Sequence, residues 1–295
     1  MTKAASKTWR LPAALVCLSA LATSIAGAEQ EKSDRICLTV DRNVLVDQNC
    51  FTDSSGACGP TSVANCLKLG TPEMSRAWES FVGADDATRL RFLIDRWFRS
   101  RPSIEFPEKK RFSFDGVLEE DLAAACHDLS SDLKLPKLKG AYLDRQPGES
   151  SRDFLARIHK SIASSLEAGC PPILSLKSYI ARRRESLDDE VAWQFATHHW
   201  VVVTGVRREL RFTDLGFSVD LVDPNGGFET SAFIYAENQL NFRALKGTEE
   251  KGQWLSGRPY LLVQAPGVLS LRPHGATWKD RLVVTANFLI SKDSL

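Results

Sequence analysis

His198-His199-Trp200-Val201-Val202-Val203-Thr204-Gly205-Val206 is a run of β-branched and aromatic residues that suits a pleated, buried strand. Two-residue alternation puts His199, Val201 and Val203 on one face of that strand and His198, Trp200 and Val202 on the other. Upstream, Gly169-Cys170-Pro171-Pro172 introduces a strand at Ile173-Leu174-Ser175-Leu176. Downstream, Phe217 to Val222, Tyr260 to Gln264 and Leu282 to Ile290 have the same β-rich texture, broken by turn residues. Between Pro72 and Ala168 the period changes. Apolar residues recur at helical spacing over Ala87 to Phe98, Gly116 to Leu129 and Ser151 to Leu166, whereas the basic, Pro-broken stretch Phe106 to Phe114 reads as a surface loop. Arg182 to Glu190 reads as a charged helix or loop. Helices first and an antiparallel sheet afterwards predict an α+β architecture.

The chain begins with Lys3, Lys7 and Arg10, an apolar run from Leu11 to Ile25, and Ala26-Gly27-Ala28 before Glu29, the three-part layout of a cleavable secretory signal. The expected organisation is a signal over residues 1–28 and one catalytic domain over 29–295, with a helical insert around 72–168. The protein is expected to be exported, either periplasmic or secreted, without stable membrane insertion after cleavage; no later stretch approaches the ~20 apolar residues of a span. The whole chain carries 38 Lys+Arg against 37 Asp+Glu, and signal removal takes three basic residues, leaving a near-neutral protein. That balance argues against a nucleic-acid partner or a strongly basic membrane-surface protein. Six of the seven cysteines lie beyond the signal: Cys37, Cys50, Cys58, Cys66, Cys126 and Cys170. In an oxidising compartment six would suggest three disulfides, and no Cys-x-x-Cys spacing suggests a metal. No cofactor is indicated.

Chemistry concentrates at three places. In Cys58-Gly59-Pro60-Thr61-Ser62-Val63-Ala64, Pro60 suits the first turn of a helix and Gly70 its stop, so Cys58 lies at a helix N-terminus. There the helix dipole favours the thiolate, the only reactive form of a cysteine. A base must come from elsewhere, and of the five histidines only His198 and His199 stand at the mouth of a strongly β-forming run. The following strand ends in Asp223, before the turn Pro224-Asn225-Gly226-Gly227, and offers a carboxylate to orient the base. Asp220, in mid-strand, ranks below it.

Ala57-Cys58-Gly59-Pro60-Thr61-Ser62, then His199-Trp200-Val201-Val202-Val203-Thr204-Gly205-Val206, then Val222-Asp223-Pro224, in this order, resembles the papain-like cysteine peptidases. The nearest branch resembles the bacteriocin-processing, double-glycine-cleaving domains. The resemblance implies a papain-like fold, with an N-terminal helical part whose nucleophile helix packs on a C-terminal antiparallel β-sheet. It also implies Cys58 as nucleophile, His199 as base, Asp223 as orienting carboxylate and a peptide or protein substrate. The family's oxyanion glutamine maps to Gln48, ten residues before Cys58, with Asn49 as its alternative. The same triad is compatible with acyl transfer to an amine, cell-wall peptide cleavage or a catalytically inactive peptide-binding module. Oligomeric state is not legible.

Overall fold

The computed structural model describes residues 34–52, 56–113, 116–182, 192–237, 243–245, 260–272 and 282–293. The expected signal, most of the Arg182 to Glu190 segment and the Asp53-Ser54-Ser55 turn lie outside them. The chain divides into an N-terminal unit, Met1–Arg35, and a unit Ile36–Leu295 to which the architecture below belongs.

Five α-helices are described: α1 (Cys58–Leu69), α2 (Pro72–Glu79), α3 (Asp86–Ile94), α4 (Glu119–Leu133) and α5 (Ser151–Glu167). Helix α3 runs on into a π-turn, Asp95–Arg99. Local chemistry sets their starts. The Thr71 hydroxyl accepts from Met74 N–H at α2, Ser150 from Asp153 N–H at α5, and Asp85 and Thr88 form a reciprocal capping box at α3. Helix α4 instead opens on Glu119, Glu120 and Asp121, three acids that complement its dipole.

The strands are β1 (Arg35–Cys37), β2 (Leu138–Tyr142), β3 (Ile173–Arg182), β4 (Ala192–Arg207), β5 (Gly216–Asp223), β6 (Phe228–Glu237), β7 (Arg243–Leu245), β8 (Tyr260–Gln264) and β9 (Leu282–Lys292). Neighbours run β4-β3-β9-β8-β6-β5, and β5 pairs back onto β4 through Val202↔Val222 and Val203↔Leu221. All these pairings are antiparallel, so six strands close into a barrel; β1 and β7 flank β4, and β2 extends β9.

This corrects the papain-like expectation of a nucleophile helix packed on a C-terminal antiparallel sheet. The helix does meet β4, but on the outside of a closed barrel. Closure has a physical source in β4, which is 16 residues long and irregular. Its register shifts against β3 between Ser178 and Tyr179, and against β5 between Val203 and Gly205. Each shift bends and twists the strand enough to carry a ladder on both sides around a curved wall. Strand alternation reports which side chains share a face, not which edges finally meet, and β6, which completes the ring, carries no signal as clear as that of β4.

The two faces of the barrel wall build two cores. Outward-facing Ile173, Trp200, Val202, Val222, Phe288 and Ile290 pack with the buried faces of α1 to α4. Inward-facing Leu176, Val201, Val203, Leu221, Ile234 and Val263 fill the lumen with Phe154, Ile158 and Ile162 of α5. Helix α5 touches β4, β6 and β9, which are not neighbours in the ring, so it lies across one mouth of the barrel. Trp200 joins the outer core to the nucleophile helix. It is 1% exposed, its indole N–H donates to Val117 O at 3.3 Å, and a Cβ on Gly59 would meet its ring at 3.3 Å. Trp200→Ala is therefore expected to lower unfolding stability in urea by about 3–5 kcal/mol, the range for deleting a large buried aromatic. A loss below ~1 kcal/mol would show that this contact does not hold helix to barrel.

Candidate active site

Helix α1 begins at Cys58, with Pro60 in its first turn, where no donor is lost. Ala57 stands at its N-cap and provides no side-chain cap, and the first turn holds no acid. The positive end of this helix is thus left for the thiol. Cys58 is partly exposed as a residue, whereas Gly59 and Pro60 behind it are buried.

The β4–β5 ladder begins at Val202↔Val222. Continuing that register by one pair sets Val201 opposite Asp223 and His199 diagonally beside it on the same face. The side chains meet: the His199 Nε2–Asp223 Oδ1 distance is 2.7 Å, with His199 3% and Asp223 1% exposed. Asp223 Oδ1 also accepts from Asn225 N–H at 2.8 Å, which ties the carboxylate to its own turn. With Nε2 engaged, Nδ1 is the ring nitrogen left to serve Cys58, and a side-chain hydrogen bond joins His199 and Cys58.

Burial opposes ionisation of both partners. For Cys58 it is outweighed by the hydrogen bond and charge of His199 and by the backbone N–H groups of Trp200 and Gly59, and the thiol ends below its ordinary range. For His199 burial is outweighed by the bonds to Asp223 and Cys58, which raise it to about 9. The magnitudes rank the causes. A helix N-terminus contributes about 1–2 kcal/mol in a partly buried setting. Unit charges about 4 Å apart at an effective dielectric near 20 contribute about 4 kcal/mol. His199, not the dipole alone, makes the thiolate.

His198 faces the other way. Burial pushes it down to about 4, against the upward pull of Glu119, and its Nε2 lies 2.9 Å from Ser175 Oγ. Lys177 Nζ sits 2.5 Å from Glu119 Oε1 and neutralises that carboxylate. Asp220 is also elsewhere, against Gly205 and within 3.8 Å of Cys37 Sγ.

Gln48 and Asn49 lie in a short 3₁₀ turn, Gln48–Cys50, sewn between the helix and the Asp223 turn. On one side Asn65, buried in α1 two turns beyond Cys58, accepts from Val46 N–H at 2.8 Å and donates to Val46 O at 3.0 Å. On the other, Gln48 N–H donates to Pro224 O at 2.8 Å, and Asp47 Oδ1 accepts from Gly226 N–H at 2.9 Å. Asn49 spends its amide on Asp47 and Asn225. Gln48 Oε1 is buried and accepts no hydrogen bond. Asn49 is thus committed within the turn, whereas Gln48 is tied there through its backbone N–H.

Sequence reasoning missed Asn65, Asn225 and Ser270. Ser270 Oγ accepts from Asn225 Nδ2 at 2.8 Å, and Ser270 O from Thr197 Oγ1 at 3.1 Å. None of the three stands out in the sequence, since Asn65 shares its helix face with Thr61, Ser62 and Lys68. The other described cysteines are free thiols, not disulfides. Burial raises Cys66 and takes Cys126 to about 12, and Cys66 Sγ lies 3.1 Å from Pro171 O. Among the described residues no group of three or more His, Cys, Asp or Glu converges as a metal site.

Comparison with family models, curated proteins and solved structures gives no match for this chain.

A thiol lowered by a raised imidazole predicts a pH profile. Alkylation of Cys58 by iodoacetamide is expected to inflect below the ordinary thiol value of about 8.5, the ion pair persisting until His199 loses its proton near pH 9. His199→Ala is expected to move the inflection upward, because burial then acts alone. An unchanged profile in that variant would refute the pair.

Proposed function

We propose that this chain is an exported cysteine hydrolase that cleaves peptide or protein amide bonds through Cys58, His199 and Asp223. The observation that carries this reading is the buried His199–Asp223 bond of 2.7 Å, set beside a cysteine at an uncapped helix start. A structural cysteine needs neither a histidine raised to about 9 nor a carboxylate behind it. The order of the three motifs along the chain, shared with papain-like peptidases, supports the same chemistry.

In this reaction the Cys58 thiolate attacks the carbonyl carbon, and the tetrahedral oxyanion takes hydrogen bonds from Cys58 N–H and the Gln48 side-chain amide. His199 gives its proton to the departing amine, leaving a thioester on Cys58. His199 then takes a proton from water as that water attacks the thioester, and the acid departs as the Cys58 thiolate–His199 imidazolium pair is restored. Asp223 holds the imidazole in orientation.

Cys58→Ala is expected to abolish amide cleavage of a peptide library while leaving the melting temperature within a few degrees of wild type. Retained activity would sink the assignment. Gln48→Ala is expected to lower kcat by about 10²–10³ with little change in KM, the signature of one lost oxyanion donor. A purely structural Gln48 would instead lower stability and leave kcat of the folded fraction unchanged.

A further inference from the structure

At the end of β4 and β5 away from His199, residues Arg207–Gly216 form a loop with an unusual surface. Phe212 is 89% and Leu215 87% exposed, the two highest values among the large apolar side chains described. Scattered exposed apolar residues are ordinary, but these two crown one short loop.

The loop is held rigidly in this position. Arg152 of α5 donates to the carbonyls of Asp214 at 2.8 Å and Leu210 at 3.3 Å, and also to that of Arg211. Asp214 Oδ2 accepts from Arg211 N–H at 2.8 Å, and Asp214 N–H donates to Arg211 O at 3.0 Å. At the base, His159 Nε2 lies 2.8 Å from Arg207 O, and Leu210 packs on the barrel core. A slack loop would fold Phe212 onto the protein and remove it from water. This one is prevented from doing so, and its ordering cost is already met by the fold.

The loop and the part of α5 beside it carry four arginines, Arg152, Arg207, Arg208 and Arg211, and three acids, Glu167, Glu209 and Asp214. Arg152 lies over the Phe212 ring at 5.7 Å, Arg208 pairs with Glu167 at 2.7 Å, and Arg207 lies 3.8 Å from Asp214. An apolar tip with Arg152 over its ring, and one more arginine than acids around it, matches the boundary between acyl chains and anionic headgroups, where the ring enters and the guanidinium stays at phosphate depth. A convex tip with both anchors projecting suits a fluid apolar phase.

We propose that the Arg207–Gly216 loop docks the protein peripherally on an anionic lipid bilayer, with Phe212 and Leu215 entering the interface. The contact is not a span: no helix of the described residues is long and apolar enough to cross a membrane. The eight-residue separation of Arg207 from His199 along β4 is roughly 26 Å. The docked loop is therefore remote from His199. The proposal stands independently of the reaction assigned to Cys58.

The test is co-sedimentation of the full chain with vesicles of phosphatidylglycerol and phosphatidylethanolamine, and with phosphatidylcholine vesicles alone. Wild type is expected to pellet with the anionic vesicles, less so at high salt. The double variant Phe212→Ser, Leu215→Ser is expected to lose about tenfold or more in partitioning, while Phe212→Trp retains it. Arg211→Glu, which leaves the apolar tip intact, is expected to weaken binding to anionic vesicles only. Wild type remaining in the supernatant, a folded double variant binding as wild type does, or equal binding to both lipids with Arg211→Glu unchanged would overturn the proposal.

Discussion

The β4–β5 ladder is the constraint on which the rest depends. Six antiparallel strands in sequence leave two raw edges, and an edge is an invitation to pair with another chain. Here the edges pair with each other, and the same few bonds from Val202↔Val222 onward fix the register that sets His199 beside Asp223. Closure and the His199–Asp223 contact are set by one ladder. A slip of one residue in this ladder would turn the Asp223 side chain to the outer face and leave His199 without its carboxylate.

Adjacent histidines show how strongly placement governs chemistry. His198 and His199 have the same side chain, lie on one strand and are both largely buried, yet one is pushed down to about 4 and the other up to about 9. The difference is the face. On the outer side, Glu119 is already satisfied by Lys177, so His198 gains too little to offset desolvation. At His199 the bonds to Asp223 and Cys58 both act on one ring and outweigh its burial. Pleat alternation, the simplest property of a strand, separates an inert imidazole from a reactive one.

Much of the local structure was legible because it is written in short-range pattern. The start of α1 at Cys58, the helical spacing before Ala168 and the strands at Ile173, Trp200, Phe217, Tyr260 and Leu282 follow from periodicity and turn residues close in sequence. Cys58 and Asp223 could be nominated for the same reason, each standing at the end of an element, whereas His199, expected at the mouth of its strand, lies in the middle of β4. Closure of the sheet was not legible, since it depends on the bulges in β4 and on which edges meet. Nor was the arm at Val46 to Cys50: its role rests on Asn65 and Pro224, partners 19 and 176 residues distant from Val46 and Gln48 respectively. The state of the cysteines was likewise open in the sequence, because counting thiols does not say which of them share a core: Cys66, Cys126 and Cys170 do, as free thiols.

That arm ties two distant parts of the molecule to each other. Its hydrogen bonds reach Asn65 of α1 on one side and Pro224 and Gly226 of the Asp223 turn on the other, and Val46 and Phe51 join the same outer core that packs α1 against the barrel. The start of α1 and the end of β5 are therefore held at a common spacing by a segment that belongs to neither, so that a substitution at Asn65 would be felt in the Asp223 turn as well as in the helix.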